Sequence, residues 1–171
     1  MFEIMINPQD MLNLLKNRRS IRSFQDKPIP DEQIDMILEA GRWTPSASNK
    51  QPWEFIVVKN KDIIKKLEKT ATYGKFIGEA PILIAIVGKV KQNPRWYVQD
   101  TSLASMNMML MAWSLKIGTC WIGSMDREKA KQILGVIEDD FLLTILPFGY
   151  PGEIPKPTPR KDLNKIKKEL K

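Results

Sequence analysis

Apolar positions recur at helical spacing over residues 8 to 17, where Met11, Leu12, Leu14 and Leu15 form one face. They recur again from Asp31 through Ile34, Ile37 and Leu38 to Gly41. Between the two, the prolines of Lys27-Pro-Ile-Pro-Asp31 stop regular structure and leave Asp31 near the start of the second helix. Residues 44 to 52 are polar and predict a loop. Residues 54 to 59 are β-branched and aromatic, the make-up of a short strand, and 61 to 72 predict a helix with Ile63, Ile64 and Leu67 inward. From Pro81 to Val87 the chain is apolar without a break, as a strand covered on both faces would be. Residues 99 to 116 predict a long helix with two apolar stripes, Leu103, Met106, Leu110 and Trp113 on one side and Ala104, Met108, Met111 and Leu115 on another. Both stripes predict burial, which places the helix at the centre of its fold or against a partner subunit. A strand over 119 to 122, a helix over 127 to 134 ended by Gly135, and a strand over 142 to 148 complete the pattern. Helices and strands intermingle without a regular βαβ period, which favours an α+β fold over a doubly wound sheet.

A chain of 171 residues is near the usual size of one domain, so residues 1 to 171 are expected to form a single unit. Pro151, Pro155, Pro157 and Pro159 make 151 to 159 an extended connector into the C-terminal segment. No membrane association is expected. The longest uncharged run, Thr101 to Leu115, is 15 residues and contains Ser102, Ser105, Asn107 and Ser114, whereas a bilayer needs about 20 apolar residues. Residues 1 to 10 lack the basic and apolar regions of a secretory signal.

Histidine is absent, which excludes Ser-His-Asp hydrolysis, His-ligated metals and imidazole acid/base work. A single cysteine, Cys120, forms no internal disulfide and no multi-Cys metal site, so no metal is expected and a reducing, cytoplasmic setting fits. As a nucleophile Cys120 has no neighbouring base and only Lys116 nearby in sequence. A small packed hydrophobe is the better reading.

The net charge of +7 is concentrated at two places. Arg160, Lys161, Lys165, Lys167, Lys168 and Lys171, against Asp162 and Glu169, carry +4 of it, and Arg18, Arg19 and Arg22 form a second knot. Basic clusters at opposite ends of a compact chain suggest one anion site built by bringing the termini together; a solvated basic tail is the alternative. Arg18-Arg19-Ser20-Ile21-Arg22 offers guanidinium forks and a hydroxyl where a helix ends. In an extended segment Arg18, Ser20 and Arg22 share a face while Arg19 and Ile21 point away. The loop Thr44-Pro-Ser-Ala-Ser-Asn-Lys-Gln-Pro-Trp53 combines small side chains with the donors of Asn49 and Gln51. It suits close approach to a flat, heteroatom-rich ring, and equally a plain turn cluster.

Taken in order, Arg18-Arg19-Ser20-Ile-Arg22-Ser-Phe24, Pro45-Ser-Ala-Ser-Asn49-Lys-Gln51-Pro-Trp53, Ala80-Pro81, Asp100-x-x-x-Ala104-x-x-Asn107, Gly118-Thr-Cys-Trp-Ile-Gly123 and Gly149-Tyr-Pro with Pro159-Arg160-Lys161 resemble the FMN-dependent nitroreductase family, from about residue 11 to 166. The resemblance implies an α+β, nitroreductase-like fold with a central, mostly antiparallel sheet flanked by helices, in an intertwined homodimer. Two FMN sites would lie at the subunit interface. Arg18 and Ser20, with Arg160 from a 151–171 segment that completes the site, are implied to hold the phosphate and ribityl chain, with Arg19 at the phosphate edge. Arg22 would approach the pyrimidine side of the ring. Pro45, Ser46, Ala47, Asn49 and Gln51 would contact the same flavin from the other subunit, and Trp121, Ile122 and Gly123 would offer backbone groups to its N5 and O4 edge. The implied activity is ping-pong transfer of hydride from NADH or NADPH to a nitroarene, a quinone or a similar small electron-poor acceptor, with no catalytic side chain.

Three features depart from the family pattern. Many members place Asn or Gln just before Lys75-Phe76, where this chain has Tyr73-Gly74. The segment between Gly88 and Asp100 leaves no room for a helical lid, so an open site is expected. Relatives carry Lys two positions before the terminal Arg; here Thr158 stands there, and Lys161 is assigned the second cation. The same scaffold hosts flavin-consuming and dehalogenating enzymes, which keeps a flavin-modifying or non-catalytic flavin-binding role as the alternative. Nucleic-acid binding is not expected, because the five tryptophans fall mostly in motif or apolar segments rather than among exposed basic residues.

Overall fold

The computed structural model describes residues 6–170, so part of the N-terminal reading and the charge of Lys171 lie outside the described residues. Helix α1 (Pro8–Asn17) is capped by the Asn7 side chain, which accepts from the Gln9 N–H at 2.8 Å. Helix α2 (Asp31–Arg42) starts at Asp31 after Pro30. Strand β1 (Trp53–Val58), helix α3 (Lys61–Glu68), strand β2 (Ile82–Gly88), helix α4 (Tyr97–Ser114), strand β3 (Gly118–Thr119), helix α5 (Arg127–Leu134) and strand β4 (Phe141–Gly149) follow. The strands form one antiparallel sheet in the order β1-β2-β4-β3.

β2 is buried along its whole length because helices cover both faces of the sheet. Ile82, Ile84 and Ile86 point toward Ile34, Ile37, Met108 and Ala112 of α2 and α4. Leu83, Ala85 and Val87 point toward Ile64, Leu67 and Ala130 of α3 and α5. Among the described residues no helix is long and apolar enough to cross a membrane.

Several expectations are corrected. The strand expected over 119 to 122 reaches only Thr119, and Ile122 rejoins by a single bridge to Ile145. The register that pairs Gly118 with Gly149 places Cys120 opposite Pro147, which has no N–H to donate. The helix expected to Thr72 ends at Glu68, where the Thr70 hydroxyl takes the Leu67 carbonyl at 2.7 Å. Beyond it, Ala71 bridges Met125. Within one chain α4 buries Ala104 and Met108, half-buries Leu110 and Trp113, and leaves Leu103 51% and Met106 38% exposed, which an apolar stripe meant for a partner subunit would also show; on α1 Met11, Leu12 and Leu15 face solvent. Trp43, Trp96 and Trp121 are exposed as well.

Candidate functional site

Arg18 leaves α1 in extended conformation, its N–H still donating to the Leu14 carbonyl at 3.1 Å. The chain then runs along the outer edge of β3. Ser20 bridges Thr119, and the Ile21 N–H donates to the Thr119 carbonyl at 3.0 Å. Ile21 is buried against Gly118, where a Cβ would lie 2.5 Å from its side chain, so only glycine lets the segment approach this closely. Farther on, Phe24 bridges Pro151, and the Gly152 N–H donates to the Ser23 carbonyl at 2.8 Å. These bonds bring the chain leaving β4 back beside the end of α1.

The result is a cleft of about 500 Å³ lined by Lys16, Arg18, Arg19, Ser20, Arg22, Lys156, Thr158 and Arg160, with no carboxylate among its walls. Arg18 Nη1 and Arg19 Nε are buried there without a hydrogen-bond partner among the described residues. Burial first, and then the repulsion of Arg160, lowers the Arg18 pKa from its ordinary value. Arg160 Nη1 donates to the Thr158 hydroxyl at 2.7 Å, which holds its fork toward the cleft. The two basic knots do meet. Arg19 lines the cleft too, against the simple alternation that pointed it away. Lys161 does not line it; Lys156 does. The alternation Pro155-Lys156-Pro157-Thr158-Pro159-Arg160 places Lys156 and Arg160 on one side of an extended chain, a signal present in the sequence.

Arg22 also borders a second cavity of about 190 Å³, shared with Tyr73, Gly74, Phe76, Cys120, Trp121, Ile122, Gly123 and Ser124. Backbone bonds pin its two rims together: the Thr72 N–H donates to Ser124 at 3.1 Å and the Asp126 N–H to Thr70 at 2.8 Å. Cys120 is 4% exposed. Burial pushes its thiol up, and the nearby Arg22 and Arg18, which lower it, do not overcome that effect. Two arginines therefore neighbour Cys120, where the sequence offered only Lys116, yet the outcome is still an inert, packed thiol.

The loop after α2 stands apart from both cavities in the same chain. Asn107 Nδ2 donates to the Thr44 hydroxyl at 2.8 Å, and the Ala47 N–H donates to Asp100 Oδ1 at 3.2 Å. Asp100 is 4% exposed, and its other oxygen accepts from Asn93 Nδ2 at 3.0 Å. Ser46 Oγ accepts from the Gln51 N–H at 2.9 Å. Ser48, Asn49 and Gln51 take φ values of 53°, 53° and 50°, strained for residues other than glycine, so these anchors hold an otherwise disfavoured shape. Pro45, Asn49 and Gln51 are exposed, while Ser46 and Ala47 are half-buried. Asp100 opens the Asp100-x-x-x-Ala104 motif, whose spacing gives no sign that its carboxylate anchors this loop.

Fold and site define a class of protein: an antiparallel α+β scaffold that gathers cations from both ends of the chain at one sheet edge, beside an aromatic-walled cavity. The chain belongs to the nitroreductase family, whose model matches residues 15–72 and 68–150. A protein of Methanothermobacter thermautotrophicus provisionally named NADH dehydrogenase/NAD(P)H nitroreductase is 37% identical over 156 residues, 88% of this chain and 82% of that protein. The solved FMN-dependent nitroreductase of Clostridium difficile R20291 has a TM-score of 0.85 at 31% identity, covering 94% of this chain and 98% of that one. Iodotyrosine deiodinase 1 of Rattus norvegicus is 28% identical over 204 residues, 96% of this chain and 70% of that protein.

Proposed function

We propose that this chain is an FMN-dependent oxidoreductase that uses NADH or NADPH to reduce electron-poor small molecules such as nitroarenes and quinones, working as a cytoplasmic homodimer. The observation that carries the reading is the carboxylate-free cleft with two buried, unpartnered guanidinium nitrogens, which suits a phosphate dianion. Arg18, Arg19, Ser20 and Arg160 would hold the phosphate and ribityl chain, with Lys156 rather than Lys161 as the second cation. Arg22, which borders both cavities, would place positive charge at the pyrimidine edge of the ring, where negative charge collects on reduction. Backbone groups of Trp121, Ile122 and Gly123 would meet the other ring edge.

FMN, when bound, supplies reversible two-electron hydride chemistry. The chain's own part is to bind, orient and tune, and it needs no side-chain acid or base. Pro45, Ser46, Ala47, Asn49 and Gln51 would reach the cofactor of a second copy, which accounts for their distance from the cavities of their own chain. The uncovered Leu103 and Met106 stripe of α4 supports the dimer. The test is the visible spectrum of the purified protein with FMN, followed anaerobically by NADH and then NADPH. Uptake of FMN and bleaching of its visible band by a nicotinamide are expected; a quinone should then restore the band as it becomes hydroquinone. Protein that takes up no FMN would refute the reading. Bound flavin that neither nucleotide bleaches would turn the function toward flavin binding or flavin modification.

A further inference from the structure

We propose that the side chains of Tyr73 and Trp121 are the two walls of an acceptor subsite that selects flat aromatic molecules. The inference rests on the FMN reading, since the subsite lies in the cavity that Arg22 shares with the cationic cleft. Tyr73, 86% exposed, and Trp121, 38% exposed, both line that cavity, from the two segments that its main-chain bonds join. Neither ring stacks on another aromatic side chain among the described residues. The Tyr73 ring therefore adds little to the core, and Trp121 keeps more than a third of its surface in solvent.

The backbone beneath them is held firmly. The 70–72 and 124–126 segments are joined by two main-chain hydrogen bonds and the Ala71–Met125 bridge. The Thr144 hydroxyl donates to the Ile122 carbonyl at 2.9 Å, fixing the residue after Trp121. Behind Tyr73, a Cβ on Gly74 would lie 2.9 Å from Ala71 Cβ, so the ring is presented from a turn that has no room to shift inward. Rigid main chain under free aromatic rings suits recognition of a planar ligand, because few torsions are lost when the rings close on it. At the position where the family pattern expects an amide, this chain offers a ring.

The experiment uses the FMN-loaded protein and its Tyr73→Ala, Trp121→Ala and Tyr73→Phe variants. Calorimetric titration with 2-naphthoate, a redox-inert flat anion, is compared with cyclohexanecarboxylate, which has the same charge without the ring. In parallel, kcat and KM are measured with 2-methyl-1,4-naphthoquinone and with ferricyanide, alongside FMN affinity and dimer mass. Each alanine variant is expected to bind 2-naphthoate about tenfold more weakly and to lower the kcat/KM ratio of naphthoquinone to ferricyanide by a similar factor, mainly through KM. Tyr73→Phe should retain the wild-type ratio. An unchanged ratio in both alanine variants overturns the subsite while leaving the function intact. Equal losses for both acceptors, or a fall in FMN affinity or dimer mass that accounts for the change, overturn it in favour of a structural role. Wild-type protein without FMN uptake overturns the function and the subsite together.

Discussion

In an Arg18→Ala variant the end of α1 stays closed, because the 3.1 Å bond to the Leu14 carbonyl belongs to the backbone. What is lost is a guanidinium with a buried nitrogen that no group among the described residues satisfies, in a cleft whose other arginines repel it. The variant should therefore move the empty and the loaded protein in opposite directions. Without FMN, removing an unpaired charge next to Arg160 relieves repulsion, and the melting temperature is expected to stay level or rise. With FMN, a charge-assisted phosphate contact typically contributes about 1.5 to 3 kcal/mol. Its loss weakens FMN binding by roughly tenfold to a hundredfold. At saturating FMN the stabilisation by ligand shrinks by the same free energy, which for a domain of this size is roughly 3 to 12 °C of melting temperature. Arg18→Lys keeps the charge without the fork and should fall between. The assay is a quenching titration of FMN fluorescence, with melting curves taken in both states. An empty variant that melts several degrees lower, or an unchanged FMN affinity, would refute the placement of the phosphate.

Asp100→Ala removes the acceptor for the Ala47 N–H and should impair FMN binding in the partner's site rather than its own. Mixing it with Arg18→Ala and allowing subunits to exchange should restore one of the two FMN sites in each mixed dimer, roughly a quarter of all sites in an equal mixture, and no recovery in the mixture would sink the shared-site arrangement. Leu103→Glu charges a residue already in solvent on the single chain, so helix content should hold while the mass by sedimentation drops to that of one subunit; a persistent dimer would place the interface elsewhere. The Cys120 thiol, raised above its ordinary 9.0 by burial, holds its proton more tightly in the folded chain than in the unfolded one. Its contribution to stability is thus level below about pH 9 and lost as pH rises further, and Cys120→Ala should flatten that loss between pH 8 and 10 in urea titrations; parallel slopes would contradict the burial argument.

The element order was legible because the apolar periods are clean: β2 reads as an unbroken apolar run and α5 stops at Gly135, whose φ of 70° suits glycine. Strand ends were less legible, since β3 depends on Pro147 standing opposite Cys120, a fact of pairing rather than of local composition. The arginines of the cleft could be read as anion ligands from their type, and their meeting with Arg160 from the split of charge between the two ends. Lys156 was hidden behind Lys161 because the prolines of the connector mask the alternation that puts Lys156 and Arg160 on one face. Tyr73 showed only as a departure from a pattern, because its exposure follows from the bonds beneath it and not from its neighbours in sequence.

Those bonds also bear on how the protein can change. Thr72 to Ser124 and Thr70 to Asp126 are main-chain contacts, indifferent to which side chains the segments carry. Positions 73 and 121 can therefore be rewritten by single point mutations without disturbing the framework that presents them. A library randomised at codon 73, where the side chain is 86% exposed, should remain largely foldable, giving evolution and the engineer alike a route to new acceptors that leaves the cationic cleft untouched.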